Sequence, residues 1–192
     1  MKKKILVILG HPDTESFCGA LCTAYIEGAN AVGAEIRELR LGELNFDPVL
    51  WKGYKEIQEL EPDLVRAQEL IQWSDHMVFV YPNWWGAMPA LMKGFFDRVF
   101  LPGYAFKYRD NSAFWDKLLS GRTAHLIVTL DTPPWYYRWI YRQPGHNQMK
   151  RTILGFCGIK VVKITELAMV RGSTAGKRKK WLAMVNRLGA NA

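Results

Sequence analysis

The stretch ILVILGHPDTESF, residues 5–17, passes from an uninterrupted apolar run into a polar loop and then to the start of a helix. An apolar run without alternation is typical of a strand that is buried on both faces of a parallel sheet. Apolar residues recur at helical spacing over residues 16–32, and Gly33 is suited to the end of a helix. The stretch therefore predicts a strand, a loop at its carboxyl end and a helix that returns across the sheet.

The same alternation of apolar runs and helical patterns continues along the chain to residue 188. The further predicted strands are 35–41, 77–81, 123–130 and 160–166, and the further predicted helices are 63–73, 87–100, 146–156 and 174–188. Asp63 is the expected N-cap of its helix, and residues 42–62 are predicted to form an excursion loop with some helix. Five strands alternating with helices predict an α/β protein with helices on both faces of a parallel sheet.

Composition is that of a globular protein, with 49% apolar and 23% charged residues in a chain of 192. This content of apolar residues excludes disorder as the main state, and the length predicts one domain over residues 1–192. No apolar stretch reaches the 18 residues expected of a membrane-spanning helix. Three cysteines, at positions 18, 22 and 157, are interpreted as reduced thiols, which predicts a cytoplasmic protein.

Charge is unevenly distributed between the two parts of the chain. Residues 1–106 contain 10 basic and 14 acidic side chains, whereas residues 107–192 contain 16 and 4. A basic half favours phosphates, an acidic protein or a membrane surface as partner, and a solvated face is the alternative. No helix-turn-helix, zinc or RNA-binding signature accompanies the charge, so a nucleic-acid partner is not expected. The run 177–180, KRKK, opposes the dipole of the last predicted helix, and it faces either an anion or solvent.

Ligands of such sheets bind at the carboxyl ends of the strands, which directs attention to residues 10–17, 82–87 and 131–146. The first of these loops ends at a helix start, where free N–H groups favour a phosphate. Ser16 and His11 could add side-chain donors, although Ser16 could also serve only as a helix cap. Neither a dinucleotide fingerprint nor a P-loop occurs here.

Two adjacent tryptophans, Trp84 and Trp85, dominate the second loop. They could form a flat apolar wall for a planar ring, and we expect one of them to line the site while the other packs as core. Pro82 and Gly86 let the backbone pass close to a ligand.

The third loop, 131–146, has five aromatic residues within positions 135–141, together with Arg138 and Arg142. Its aromatic side chains could cap a planar cofactor, form a substrate pocket or contact a partner subunit. Neither metal-ligand spacing nor a nucleophile motif is present in the sequence. An aromatic crevice without such groups indicates that a bound redox cofactor carries the chemistry.

Three motifs resemble those of a known family. They are GHPDTESF at 10–17, YPNWWGAMPALMKGFFDRVF at 81–100 followed by PGYAF at 102–106, and FCGI at 156–159. They are similar to the motifs of the NAD(P)H:quinone oxidoreductase family. The resemblance implies a flavodoxin-like three-layer sandwich whose five parallel strands lie in the order 2-1-3-4-5. It also implies a bound flavin, FMN or FAD, a homodimer, and hydride transfer from NAD(P)H to a quinone-like acceptor by a ping-pong route.

The resemblance also assigns candidate flavin contacts. The resemblance implies that the flavin phosphate is bound by His11, Ser16, Phe17 and Cys18. Cys18 occupies a position at which longer members have asparagine. The resemblance implies that the isoalloxazine ring is held by the segment of Pro82, Asn83, Trp84, Trp85 and Gly86. Thr129 and Asp131 are added as cofactor-binding candidates because residues 129–132 stand where FAD-binding members have TTGG.

The family's catalytic tyrosine and histidine correspond to Tyr136 or Tyr137 and to His146, and we take Tyr137 and His146 as the candidates. Short members of the family include the ancillary oxidoreductases of potassium-efflux systems. The alternative function is therefore a redox-sensing subunit that docks on a membrane transporter. The choices between FMN and FAD, between NADH and NADPH, and among electron acceptors stay open.

Overall fold

The computed structural model of the chain describes residues 2–192. Its main sheet consists of β1 (Lys4–Leu9), β2 (Glu35–Arg40), β3 (His76–Pro82), β6 (Thr123–Leu130) and β7 (Lys160–Ala168), and a separate hairpin is formed by β4 (Phe106–Tyr108) and β5 (Trp115–Lys117). All neighbouring strands of the main sheet are parallel, in the order β2-β1-β3-β6-β7. Counted over these five strands, the order is the predicted 2-1-3-4-5, which confirms the flavodoxin-like fold.

Helices cover both faces of this sheet, as predicted. They are α1 (Phe17–Ala31), α2 (Pro62–Trp73), α3 (Ala90–Val99), α4 (Pro134–Trp139), α5 (Pro144–Asn147), which continues as a π-helix over Gln148–Leu154, and α6 (Ala175–Ala190). Because side chains alternate along a strand, β1 sends Ile5 and Val7 into the layer of α1 and α6, and Leu6 and Ile8 into the layer of α2 and α3. The uninterrupted apolar run of β1 follows from this double burial.

Two glycines allow α1 and α6 to pack closely. A Cβ atom at Gly28 would overlap the backbone carbonyl of Asn186, and one at Gly189 would overlap that of Tyr25. Gly33 follows α1 with a φ of +75°, in agreement with its predicted place at the helix end. The contact between these two helices brings the amino end of α6 beside that of α1.

Several predicted boundaries were wrong. Helix α2 begins at Pro62 with Glu61 as its N-cap, and the carboxylate of Asp63 instead accepts the N–H of Asn45 at 2.7 Å. Helix α3 begins at Ala90, because the preceding residues are used in a tight turn.

The predicted loop 131–146 contains two short helices, each with a proline at its first position, where proline is favoured. The predicted helix 146–156 is α5 and the π-helical segment that follows. The excursion 42–61 has only one 3-10 turn, over Leu41–Glu43, and is otherwise irregular.

Candidate functional site

The carboxyl ends of β1, β3 and β6 meet at one edge of the sheet. The N–H of Gly10 donates to the carbonyl of Val80 at 2.8 Å, and the N–H of Asn83 donates to the carbonyl of Thr129 at 2.7 Å. These bonds extend the pairing of the strands into the loops. All three predicted loops therefore leave the sheet side by side.

His11 is fixed within the first loop. Its Nδ1 accepts the N–H of Asp13 at 2.9 Å, and its ring lies edge to face with that of Trp84, with 5.3 Å between the centroids. Partial burial lowers the pKa of His11, although the nearby carboxylate of Asp13 opposes this shift. With Nδ1 used as an acceptor, the neutral imidazole carries its proton on Nε2.

Ser16 caps helix α1, and its Oγ accepts the N–H of Gly19 at 3.3 Å. Among residues 2–192, no hydrogen-bond acceptor is found for the N–H groups of Phe17 and Cys18. Free N–H groups at the positive end of a helix dipole favour an anion. The cap and the free donors thus coexist at the predicted phosphate position.

The ring of Phe17 is directed toward α6. It contacts Trp181 with 6.0 Å between the ring centroids, and the guanidinium of Arg178 lies 5.7 Å from the Phe17 centroid. Lys177 in turn lies 4.7 Å from the ring of Trp181. Part of the basic run 177–180 is therefore placed close to the first turn of α1, which sequence patterns alone did not indicate.

Cys18 and Thr129 connect α1 with the end of β6. The Sγ of Cys18 and the Oγ1 of Thr129 lie 3.3 Å apart, and both side chains are buried. Burial raises the pKa of Cys18 to about 11, against the smaller effect of the Thr129 hydrogen bond, so the thiol stays protonated at neutral pH. Asp131, two residues further along, accepts the N–H of Arg171 at 2.7 Å and ties together the loops after β6 and β7.

The two tryptophans of the second loop occupy a tight turn. The backbones of Trp84 and Ala87 form two hydrogen bonds, of 2.8 and 3.0 Å, and the intervening Trp85 and Gly86 have φ angles of +52° and +80°. Trp84 is 45% exposed and Trp85 is fully exposed, so the expectation that one of them packs as core was wrong. The reason is the turn, which places both indoles outside the helix and sheet layers.

Trp85 and Gly86 line a groove of about 440 Å³ against α5 and the π-helical segment. Pro144 and Arg151 lie on the other side of this groove. Trp84 instead contacts His11 of the first loop. The two adjacent indoles therefore belong to different parts of the molecular surface.

Tyr137 is buried between the second and third loops. Its hydroxyl donates to Oδ1 of Asn83 at 3.3 Å and accepts the N–H of Gly145 at 3.2 Å. Burial raises the pKa of Tyr137, while the N–H bond from Gly145 acts in the opposite direction. The protonated hydroxyl is thus held in one orientation beside the end of β3.

His146 is also buried and lies edge to face with Tyr137, with 5.1 Å between the centroids. Its Nε2 donates to Oε1 of Glu166 at 2.7 Å. The pKa of Glu166 is lowered mainly by this hydrogen bond, against the effect of burial. His146 and Glu166 form part of the wall of a cleft of about 520 Å³ between α4 and β7, together with Trp135, Trp139 and Arg138.

The structure thus brings the predicted residues together in four contacts: His11 with Trp84, Cys18 with Thr129, Tyr137 with Asn83, and Tyr137 with His146. Pro82 pairs with Thr129 at the end of β3. Phe17, Trp85 and Asp131 make other contacts, with α6, the groove and Arg171. Glu166 was not predicted as a site residue, and its only signal in the sequence is that of an acidic residue within a predicted strand.

No helix in the described chain, residues 2–192, is both long enough and apolar enough to span a bilayer.

Comparison with known proteins extends these observations. The sequence profile of the family described as Flavodoxin-like fold matches residues 3–188. The ribosyldihydronicotinamide dehydrogenase [quinone] of Pongo abelii is 28% identical over 190 residues, which cover 83% of this chain and 79% of that protein.

Two solved structures share the fold. The NAD(P)H:quinone oxidoreductase from Methanothermobacter marburgensis has a TM-score of 0.83 and 23% identity, covering 100% of this chain and 99% of the other. An FMN-dependent NADH-azoreductase from Bacillus anthracis str. Ames Ancestor, solved in complex with FMN, has a TM-score of 0.72 and 19% identity, covering 98% of each chain.

Proposed function

This chain belongs to the Flavodoxin-like fold family, and from that premise we propose that it is a flavin-dependent NAD(P)H:quinone oxidoreductase. The observation that carries the proposal is the pair of free N–H groups, on Phe17 and Cys18, at the start of a helix beside the contact of His11 with Trp84. The printed names of the relative from Pongo abelii and of the Methanothermobacter structure agree with such an activity.

The residues at the sheet edge fit a ring that carries a phosphate. The phosphate would be held by Ser16, the two free N–H groups and His11, and the ring would lie against Trp84 with Asn83 and Thr129 behind it. The presence of FMN in the azoreductase supports the choice of a flavin, and FMN and FAD remain alternatives. When bound, a flavin would supply the redox chemistry, with hydride accepted from NAD(P)H and passed to a quinone-like acceptor in a ping-pong sequence.

The chain's own side chains would bind and orient the flavin and the substrates. The hydroxyl of Tyr137 and the imidazole of His146 would stabilise negative charge as it develops on the reacting ring. For this the hydroxyl would turn its proton from Asn83 toward the ring, and the imidazole would donate from Nδ1, because Nε2 donates to Glu166. The basic residues of the second half of the chain, among them Arg178, would attract the phosphates of NAD(P)H. Buried Tyr137 would also help to exclude water from this side of the site.

Assembly and location belong to the same proposal. We assign residues 1–192 to one flavin-binding domain of a cytoplasmic homodimer. In support of a dimer, the excursion loop exposes Trp51, Tyr54 and Ile57 by 70%, 67% and 91%. Large apolar side chains that are exposed to solvent favour a protein interface when they form a patch.

A second candidate function is the redox-sensing subunit of a membrane transporter of the potassium-efflux type. The observation that favours it is the surface of α4, where Trp135 and Trp139 are 60% and 73% exposed beside Arg138. Aromatic residues and arginine are enriched where proteins bind one another.

The test is the absorbance spectrum of the purified protein, followed by mass analysis of any released flavin and by an NADPH oxidation assay with a soluble quinone. We expect flavin absorbance, one flavin species, and steady turnover. A protein that is colourless and takes up neither FMN nor FAD would contradict the proposal. Flavin binding without quinone turnover would favour the sensor subunit.

A further inference from the structure

The carboxylate of Glu166 connects strand β7 with the segment that carries His146. One oxygen, Oε1, accepts two hydrogen bonds, from Nε2 of His146 at 2.7 Å and from Nε2 of Gln143 at 3.1 Å. The two donors lie on either side of Pro144 and Gly145. A single charged atom thus fixes both ends of this short segment.

The backbone of this segment is in an uncommon conformation. Arg142 and Gln143 are consecutive residues with φ angles of +58° and +53°, in the left-handed region that side chains other than glycine rarely adopt. Such a turn persists only if surrounding contacts hold it. Three hydrogen bonds hold it here. The side chain of Gln143 donates to Glu166, and the backbone N–H of Gln143 donates to the carbonyl of Tyr137 at 3.0 Å. The side chain of Asn147 donates to the carbonyl of Arg142 at 2.8 Å.

The turn determines where Gly145 lies, and Gly145 in turn determines the orientation of Tyr137. A Cβ atom at position 145 would be 2.7 Å from the carbonyl oxygen of Gly86, so the segment is packed against the second loop. The N–H of Gly145 occupies a lone pair of the Tyr137 hydroxyl, whose proton is directed to Asn83. The path from Glu166 to the end of β3 is therefore continuous.

We propose that Glu166 is the positioning residue of this site, which holds the 142–146 turn and thereby the His146 ring and the Tyr137 hydroxyl. An ionised carboxylate only accepts hydrogen bonds, so Nε2 of His146 must carry a proton and Nδ1 is the atom left for a ligand. The charged and titratable groups that face the pair are Tyr137 and Arg138 of α4. The inference rests on the proposed function only for the statement that Tyr137 and His146 take part in turnover.

The test compares Glu166→Gln with Glu69→Gln, a matched change at an exposed side chain of α2 that forms no hydrogen bond within the described residues. The first readout is the nitrogen NMR signals of the His146 ring, which show without any substrate which of its two nitrogens is protonated. We expect Nε2–H in the wild type and in Glu69→Gln. In Glu166→Gln we expect a mixture of tautomers, because an amide can donate as well as accept and no longer requires the proton of His146 to lie on Nε2.

The second readout is the separation of flavin binding from turnover. In Glu166→Gln the turnover number should fall by roughly tenfold, as expected when one hydrogen-bond donor is no longer held in place. The dissociation constant of added FMN should stay within about twofold of the wild-type value. Glu166→Asp keeps the charge but shortens the side chain, so it should restore the Nε2–H tautomer of His146 more than it restores the turnover number. This variant also keeps the proposal testable if Glu166→Gln does not fold.

Unchanged His146 signals in Glu166→Gln would overturn the proposal, and so would altered signals with wild-type turnover. Failure of the proposed function gives a different pattern, because the wild type itself would then lack flavin and quinone turnover. In that case the NMR signals alone decide whether Glu166 fixes the ring of His146.

Discussion

The imidazole of His11 and the indole of Trp84 meet edge to face, with 5.3 Å between their ring centroids. These residues belong to two loops that follow different strands, and in the sequence they are connected only by the expected position of both loops at one sheet edge. Their contact places an aromatic wall directly beside the helix start where Ser16 and the free N–H groups lie. One ligand could therefore contact both loops at once.

The contact leads us to expect different effects from the two tryptophans. Replacing Trp84 by leucine removes the wall beside His11, so the fluorescence of added flavin, quenched by a neighbouring aromatic ring, should increase and binding should weaken. The same replacement at Trp85, which lies in the groove near Pro144, should have a smaller effect. Emission spectra at equal flavin loading measure the difference. Wild-type emission and turnover in both variants would assign the loop a structural role.

Ser16 and His11 should contribute to phosphate binding. Replacing either residue by alanine removes one hydrogen bond to the phosphate. The loss should cost about 1 kcal/mol of binding free energy, which is roughly fivefold in the dissociation constant. The double variant should therefore bind flavin at least tenfold more weakly, as measured by titration calorimetry.

Thr174→Ala is the matched control for Ser16→Ala. Thr174 caps α6 as Ser16 caps α1, since its Oγ1 accepts the N–H of Lys177 at 3.2 Å. Its loss should cost about 1 kcal/mol of stability and leave flavin binding unchanged. Equal flavin affinity in the wild type and in the double variant of Ser16 and His11 would contradict phosphate binding at this helix start.

Much of the fold follows from local patterns. The apolar runs and the helical patterns between them were sufficient for the five strands of the main sheet, because parallel strands must alternate with helices. The order of these strands followed from the family resemblance and not from local patterns. The short helix α4 was missed because aromatic side chains at 135–141 show no helical pattern of burial; only Tyr137 of α4 is buried. The left-handed turn at Arg142 and Gln143 has no glycine to indicate it.

The site was less predictable, because it depends on contacts between distant segments. The positions of His11 and Trp84 after strands were visible in sequence, but their contact was not. Glu166 lies 20 residues after His146, and only the pairing of β7 with β6 brings it within 2.7 Å. Nothing in the spacing of these two residues indicates a hydrogen bond.

Arg98 should be the main support of the excursion loop. It is fully buried, and its guanidinium binds the carboxylate of Glu61 and the carbonyls of Asp47 and Glu59. Arg98→Met leaves the two carbonyls without this donor and the Glu61 carboxylate with only the N–H of Asp47, at 3.0 Å, and should lower the free energy of unfolding by about 3–5 kcal/mol, as measured with urea. Lys93→Met breaks an exposed pair on the same helix and should cost less than about 1 kcal/mol. Similar losses in both variants would contradict this role.

The free energy of unfolding should decrease as pH is lowered, because two histidines are buried. Burial, with a smaller effect of nearby lysines, lowers the pKa of both His76 and His125 to about 4. In the unfolded chain both have a pKa near 6.5, so between these values the unfolded state binds more protons and stability decreases as pH falls. The loss could reach about 3 kcal/mol for each histidine at pH 4.

Urea unfolding at several pH values between 7.5 and 4.5 measures this dependence. The double variant His76→Gln, His125→Gln should show a flatter profile, because glutamine can keep a bond to Thr123 or Thr165 without a titrating group. A profile as steep as that of the wild type would exclude these histidines as its cause.

Catalysis should depend on Tyr137 and His146 without requiring them for cofactor binding. Hydride transfer needs the two reacting atoms roughly 3–3.5 Å apart, and it needs donors for the negative charge that develops. Because the flavin would carry the electron chemistry, Tyr137→Phe or His146→Ala should lower turnover by about 10–100-fold, at roughly 1.4 kcal/mol per tenfold, and leave flavin bound. Tyr141→Phe, an exposed hydroxyl that forms no hydrogen bond within residues 2–192, is the control and should have wild-type turnover.

NAD(P)H and acceptor should use one pocket in turn, since both must approach the same ring, and initial rates at several concentrations of each should give parallel double-reciprocal lines. Intersecting lines would contradict the ping-pong sequence, because they require both substrates to be bound together. Full activity in the combined Tyr137→Phe, His146→Ala variant would remove both residues from the reaction. In that case the hydrogen bonds of Tyr137 to Asn83 and of His146 to Glu166 would serve only to hold the third loop in place.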